Sequence, residues 1–349
     1  MENPCLKDIS WQVDEPTYRA DKALSYSTLA KYEREGFNNL SKLFDKVESP
    51  SLTFGSCVDS LITGGEEEFN NNFFVAELTN ISDVEITITK KLYNKFSSSY
   101  NDINDIPDNY LLDTIQDIQW NNHWLPKTRV KKIKEDCKGY YQLLYIANDR
   151  SIINTSLYRD VMNTVEALKT SNATRFYFEE DNIFNKNIER FYQLKFKSTF
   201  NNINYRCMAD EIIVIHDKKL IIPIDLKTSS KCEWDFYKSF IEWRYDIQSR
   251  LYFRIIKDNL ERSSLFKNYI LTDYKFIVCN RKTLTPLVWN CSFTQSVGDI
   301  KLGKDNQIIL RDPFNIGEEL NNYLINNPKV PNKINIDKPN DLKYWINKL

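Results

Sequence analysis

Two hydrophobic rhythms divide this chain of 349 residues, a helical one before about residue 186 and a strand-like one after it. Residues 1–23 keep neither rhythm and are expected to form an irregular lead-in. Ser25-Tyr-Ser-Thr-Leu-Ala-Lys-Tyr-Glu then opens a helix, with Ser25 or Ser27 as its N-cap. A second helix is predicted from Gly55 to Ile62. Residues 65–130 are polar, Asn-rich and only patchily periodic, which predicts a variable, mostly helical insertion with long loops. Helical spacing returns over 131–170, in Lys131-Lys-Ile-Lys-Glu-Asp, Tyr140-Tyr-Gln-Leu-Leu-Tyr-Ile and Val161-Met-Asn-Thr-Val-Glu-Ala-Leu. Three β-rich runs follow: Ile188–Phe200, Ile203–His216 and Leu220–Thr228. Asn-Asn and Asp-Lys-Lys turns separate them, so they predict a meander. A helix over Trp234–Leu260, strands over Tyr269–Asn280 and Thr285–Phe293, a helix over 315–326 and a polar tail over 328–349 complete the pattern. That order predicts an α/β fold, a mixed central β-sheet flanked by helices, with residues 24–327 as a single domain.

Composition narrows the chemistry. Hydrophobic residues make up 42% of the chain and aromatics 13%, enough for a sizeable core. The 8 glycines show no Walker or dinucleotide pattern, which disfavours an ATPase or a Rossmann dehydrogenase. The formal net charge of −1 weighs slightly against a nucleic-acid binder, although a local basic patch would suffice for one. The 7 cysteines are scattered and form no CxxC, which predicts reduced thiols and no iron–sulfur cluster. The N-terminus does not read as a signal peptide and no apolar run reaches membrane-spanning length, so a soluble, cytoplasmic protein is expected. His123 and His216 are the only 2 histidines and read as surface or turn residues; Ser-His-Asp or Cys-His catalysis and a histidine zinc site are disfavoured.

The informative stretch runs from Met208 to Thr228. Asp210 starts one apolar strand, and Asp225 and Lys227 end the next, beyond the Asp217-Lys218-Lys219 hairpin. Strand side chains alternate, so Asp225 and Lys227 share a face, and the hairpin can bring them beside Asp210. Two carboxylates suit a hard cation such as Mg²⁺, to which the Leu226 carbonyl could add a ligand, and the ammonium suits a developing phosphorane charge. A D-x-K triplet alone is common, and the three could equally be ordinary charged residues at strand ends. Two further features add weight. Gln248 and Tyr252 lie four apart on one helical face, with Arg244 four before Gln248; a surface stripe with Tyr252 packed into the core is the alternative. Asp59, in Phe54-Gly-Ser-Cys-Val-Asp59, stands in a short apolar helix, an odd place for an acid without a partner; a surface or capping role is the alternative. Paired carboxylates also serve glycoside hydrolysis, but the lysine fits phosphoryl chemistry better.

In this order the motifs resemble those of RecB-like nucleases of the PD-(D/E)XK superfamily, most closely the RecE-like phage-type exonucleases. The resemblance runs from Ser25-Tyr-Ser27, through Gly55-Ser-Cys-Val-Asp59 and the Asp210, Asp225 and Lys227 hairpin, to Gln248 and Tyr252, covering residues 24–327. It implies a restriction-endonuclease-like core. It also implies catalysis by Asp210, Asp225, Lys227, Gln248 and Tyr252, with Mg²⁺ or Mn²⁺ held by Asp59, Asp210 and Asp225. The implied substrate is DNA, at duplex ends, in recombination, replication or repair. A single-strand annealing protein and a second copy of the chain are the implied partners. Candidate DNA contacts are Lys31, Arg34, Lys231, Arg244 and Arg250. The first and main departure is Asp59 in place of the usual histidine; Ala209-Asp210 in place of Pro-Asp is a form this branch commonly tolerates. The first leaves metal preference open and supports the alternative of a catalytically weak DNA-binding scaffold.

Overall fold

The computed structural model describes residues 3–36, 40, 42–44, 49–78, 81–179 and 187–326, and the expected tail over 328–349 lies outside them. In chain order the helices and strands are α1 (Glu15–Ala20), α2 (Tyr26–Glu35), α3 (Pro50–Thr63), α4 (Gly65–Asn72), β1 (Phe73–Ala76), α5 (Asp83–Phe96), α6 (Asp108–Asp117), α7 (Pro126–Ala147), β2 (Ser151–Asn154) and α8 (Thr155–Thr170). After these come β3 (Ile188–Phe200), β4 (Ile203–Ile215), β5 (Leu220–Ser229), α9 (Phe236–Glu242), α10 (Tyr245–Arg262), β6 (Ile270–Leu271), β7 (Lys275–Asn280), β8 (Pro286–Asn290), β9 (Ile300–Leu302), β10 (Ile308–Leu310) and α11 (Pro313–Asn326). The chain forms two compact units, one of Met1–Gly55 with Glu166–Leu349 and one of Ser56–Val165.

The first unit is built on a mixed sheet of order β3-β4-β5-β7-β8, with short β6 beside β5. β3, β4 and β5 are antiparallel neighbours, β5 and β7 run parallel, and β8 returns antiparallel. The meander matches the expected strands closely because its turns are locally encoded. Asn201 and Asn202 both take positive φ, 49° and 62°, between the paired Phe200 and Ile203. A two-residue hairpin needs that geometry, and asparagine tolerates it. The parallel β5–β7 pair requires a crossover, which α9 and α10 supply. On one face of the sheet, Ile247, Leu251 and Ile255 of α10 join Phe196, Ile212, Val214, Ile221 and Phe276 in a single core. Leu29 of α2 and Ile316 and Leu320 of α11 extend it.

Residues 3–23 differ from the expected irregular lead-in. A 3-10 turn covers Leu6–Ile9, and Asp14 caps α1 by accepting from the Thr17 amide. The Trp11 amide donates to the Lys195 carbonyl at 2.7 Å, and Leu6 is fully buried in the core. These partners are tertiary, so no local rhythm announces them. The expected single helix over Trp234–Leu260 is broken at Arg244, which takes the left-handed conformation at φ 57°. Its apolar spacing runs through the break, where Arg244 is tied to Glu33 and Asp246 by ion pairs.

The second unit is mostly helical. Ile88 and Leu92 of α5, Leu111 and Ile115 of α6 and Ile133, Cys137 and Tyr141 of α7 form its core. Ser82 and Glu85 form a reciprocal capping box at the start of α5. Tyr141 and Tyr145 donate to the Tyr100 carbonyl, each at 2.8 Å. Helical periodicity over 131–170 hid β2, which pairs in parallel with β1 across a long sequence gap. All seven cysteines are free thiols. Among the described residues no helix is long and apolar enough to cross a membrane.

Because Leu6 belongs to the first unit's core, Leu6→Ala should cost about 2–5 kcal/mol. Urea unfolding of the two proteins checks this; an unchanged midpoint would return residues 3–23 to the status of a loose lead-in.

Candidate active site

The β4–β5 ladder ends at the pair Glu211 and Ile224. One step further along the same register, Asp210 and Asp225 face each other. Like charges directly opposite on antiparallel strands repel, so the two strands need another way to hold together here. The Leu226 amide turns to Asp210 and donates to its Oδ2 at 2.9 Å. The side chains of Asp210 and Asp225 themselves lie within hydrogen-bonding reach. The neighbouring strand is distorted at the same level. Gln193, in register with Asp210, adopts φ 52° inside β3. Across this point the core-facing positions of β4 switch from Tyr205, Cys207 and Ala209 to Ile212 and Val214. A non-glycine residue in that conformation mid-strand marks local strain, which is commonly found at functional sites.

Asp225 and Lys227 point from β5 toward α10. The Gln248 amide donates to Asp225 Oδ1, and the Lys227 ammonium pairs with Asp225 Oδ2. Lys227 also lies over aromatic faces, 5.0 Å from the Tyr245 ring centroid and 5.8 Å from that of Phe276. Tyr245 is held in turn between Phe236, Phe276 and Tyr26. Tyr252, one turn beyond Gln248, is buried and packs edge-on against Tyr274.

Burial sets the electrostatics. Asp225 is 1% exposed, and desolvation pushes its pKa above the ordinary carboxylate value while Lys227 pulls the other way. Burial, the largest single influence, would lower the Lys227 pKa, but Asp225 together with Tyr245, Asp210 and Tyr26 outweighs it, and the ammonium holds its proton more tightly than a free lysine. Burial, with the Asp225 and Asp210 charges among lesser causes, keeps the Tyr252 phenol neutral. Gln248 Oε1 is buried with no hydrogen-bond partner among the described residues, leaving an acceptor beside the carboxylates. Two converging carboxylates, one of them nearly dry, fit a hard divalent cation, which is commonly held by one or two carboxylates, substrate oxygens and water. Among the described residues no group of three or more His, Cys, Asp or Glu side chains is placed to hold a metal ion.

The structure therefore brings Asp210, Asp225, Lys227 and Gln248 together, with Tyr252 beside them. Asp59 lies on α3 in the second unit, one helical turn past Gly55. Gly55 is in the first unit, where a Cβ would come 3.4 Å from the Thr228 hydroxyl. Two expected DNA contacts require correction. Arg244 is buried and pairs with Asp246 at 2.9 Å and Glu33 at 2.8 Å. Arg250 is 1% exposed and pairs with Asp312 at 2.7 Å. Both guanidiniums are consumed by internal carboxylates. His216 stands in the turn after β4, one of the two expected settings, but is buried there between Glu189 and Tyr269, at 2.6 and 2.8 Å. Lys231 and Arg34 are exposed, and Lys31 is half-buried with its ammonium on the Lys42 carbonyl. Tyr245 was missed by sequence reasoning, although its position three before Gln248 puts it on the same helical stripe.

No protein-family model matches the chain, and no curated protein matches it either. Among solved structures, it is similar to the crystal structure of a candidate exonuclease from Eubacterium rectale. The two are 13% identical with a TM-score of 0.38, over 92% of this chain and 85% of the other. An overlap of that quality fixes no residue correspondence, and the site rests on its own geometry.

The raised Asp225 pKa has a consequence for stability. A carboxyl that titrates higher in the folded state stabilises the fold fully below its unfolded value of about 3.8, and this contribution is lost as pH rises through the folded value. In EDTA, the protein should thus lose stability on the alkaline side of the ordinary carboxylate range. Asp225→Asn should flatten that part of the curve. Urea midpoints across pH 4 to 8 (about the range of perturbed carboxyls) test it, and parallel curves for the two proteins would refute it.

Proposed function

We propose that the protein is a metal-dependent deoxyribonuclease that hydrolyses DNA phosphodiester bonds, working as an exonuclease at duplex ends. The observation that carries this reading is the convergence of Asp210, Asp225 and Lys227 at the end of β5, with Gln248 bonded to Asp225. Asp210 and Asp225 would hold Mg²⁺ or Mn²⁺. When bound, such a cation polarises a phosphate oxygen and acidifies water.

The chain's own groups supply the rest. Gln248 fixes the rotamer of Asp225, which keeps one carboxylate oxygen directed at the site. Lys227 stays protonated and carries positive charge where the pentavalent phosphate gathers negative charge. Its ammonium also donates a hydrogen bond that can orient the attacking water. The water oxygen forms a bond to phosphorus, the bond to the departing sugar oxygen breaks, and the water proton leaves to solvent or to that oxygen. Tyr245 and Phe276 under Lys227 restrict where the ammonium can go, since a cation over two aromatic faces is held electrostatically. A structural ion pair would need neither the second carboxylate nor the buried amide, and their presence favours chemistry over packing.

The test uses linear and closed-circular DNA with the protein in Mg²⁺, Mn²⁺ or EDTA. Linear DNA should be degraded with either metal, closed circles should survive, and EDTA should stop the reaction. Lys227→Ala should lower the cleavage rate on the order of a hundredfold or more while leaving the fold intact, because charge stabilisation in the transition state is lost. Wild-type protein inactive with both metals would point instead to a DNA-binding scaffold, and full activity in Lys227→Ala would move the site elsewhere.

A further inference from the structure

The segment between the β5 lysine and α10 splits its aromatic residues in two directions. Phe236 and Phe240 turn inward. Phe236 stacks on Tyr245 at 6.1 Å, and both phenylalanines pack against Trp289, at 5.4 and 6.0 Å. Trp234, Tyr237 and Trp243 turn outward and are 87%, 46% and 45% exposed. A single exposed aromatic is unremarkable, but three large rings within ten residues leave much apolar surface in water. The inward pair already satisfies the core, so packing does not require the outward three.

Nor is the segment loose. The Lys231 amide donates to the Ser229 hydroxyl at 3.0 Å, and Asn280 donates to the Lys231 carbonyl at 2.6 Å. Thr283 donates to Glu233 at 2.9 Å. The Trp243 carbonyl accepts from the Tyr26 hydroxyl at 2.8 Å. The exposed rings are presented from a backbone pinned to β7, to the turn that follows it and to α2.

Cations accompany these rings. The Arg34 guanidinium lies 5.1 Å from the Trp243 ring centroid, and the Lys238 ammonium 5.7 Å from that of Tyr237. Lys231 is exposed just before Trp234. Three acids share the segment. Asp235 is paired with Lys238 at 2.7 Å, Glu233 is engaged by Thr283, and Glu242 is exposed. The patch is therefore aromatic first and, with three cations against three acids, balanced in charge. It also runs directly into the candidate active site. Trp243 is followed by Arg244 and then Tyr245, whose ring lies under the Lys227 ammonium.

From these observations we infer that Trp234, Tyr237 and Trp243 form a stacking platform for the unpaired bases of a single DNA strand, leading it to Lys227. Duplex DNA keeps its bases stacked on each other and offers such rings little but backbone. A single strand offers a free π-face at every base. Stacking on aromatic side chains is sequence-tolerant, and flanking cations follow the phosphates. The platform would favour frayed or tailed ends over blunt ones. This deepens the nuclease reading by naming the form of the substrate, but the binding surface can be tested without any cleavage.

The experiment uses the full chain in EDTA, where metal-dependent cleavage is off. A fluorescein-labelled oligothymidylate and a blunt hairpin duplex of the same nucleotide count are titrated by anisotropy, with tryptophan fluorescence read in parallel. The oligothymidylate should bind more tightly than the hairpin and should quench tryptophan emission. Trp234→Ala and Trp243→Ala should each weaken oligothymidylate binding about five- to a hundredfold, the range for losing one stacked base. Trp234→Phe should retain most of the affinity. Trp234 is so exposed that its removal should leave the melting temperature unchanged, which separates lost binding from lost folding. Equal affinity of wild type and both alanine variants overturns the platform. So does self-association in sedimentation that Trp234→Ala abolishes while oligothymidylate binding persists, because the patch then serves a second copy of the chain. Tight, aromatic-dependent binding by a protein that cleaves nothing in Mg²⁺ or Mn²⁺ would support the platform and defeat the nuclease reading alone.

Discussion

Two carboxylates set against each other across neighbouring antiparallel strands are the constraint on which this site depends. A β-ladder that simply continued past Glu211 and Ile224 would drive Asp210 and Asp225 together in a nearly dry place. Instead the ladder stops, the Leu226 amide is redirected to Asp210, and Lys227 and Gln248 converge on Asp225. Each compensation uses a group that the regular sheet would have employed otherwise or left in solvent. The distortion extends to β3, where Gln193 takes its left-handed conformation at the level of Asp210. Such an arrangement is costly for a fold, and under the proposed reading a bound cation would offset part of that cost.

Holding Gln248 at Asp225 demands that α10 start at a defined place. Arg244 supplies the stop. Its backbone leaves helical geometry, and its side chain bridges Asp246 on α10 and Glu33 on α2. Glu33 continues to Arg311 at 3.1 Å, and Arg311 to Glu319 on α11 at 2.5 Å. Tyr32 closes the cluster on Glu319 at 2.6 Å. Buried ion pairs contribute little net stability once desolvation is counted, but removing one partner strands a charge. The value of this cluster is geometric: it couples three helices so that the residues on α10 keep their positions relative to β5.

How much of this was legible depended on how local the cause was. The meander could be read because asparagine turns and apolar runs declare themselves within a few residues, and β3, β4 and β5 begin and end close to where expected. Asp210, Asp225 and Lys227 were legible as a hairpin with acids at matching ends, and Gln248 and Tyr252 as a helical stripe. The break at Arg244 was hidden because its reason lies on α2, about two hundred residues away. The same blindness misassigned Arg244 and Arg250 as free cations. Their charge was visible, and Asp246, two residues past Arg244, lay within reach of a local reading, but Glu33 and Asp312 as partners did not. β2 and the anchoring of the lead-in at Leu6 and Trp11 were missed for the same cause, contacts with distant chain, whereas the Asp14 cap of α1 is a local signal that was passed over.

Neutralising those arginines internally changes what the surface can use to hold a polyanion. The chain carries 47 basic against 48 acidic side chains, and two of the arginines nearest the site in sequence are committed to buried carboxylates. A binding face built on charge alone would therefore start with little surplus, and counterion release, which scales with the number of phosphates neutralised, would contribute modestly. Aromatic rings escape this limit because stacking draws on area and dispersion and does not add net charge. The sequence from Trp234 to Tyr245 places rings outward to solvent, inward to the core and under the Lys227 ammonium, all within one short stretch. On the proposed reading, one set of side chains would link a surface for bases with a lysine for phosphate, and would do so without the basic composition that such a task ordinarily leaves in a sequence.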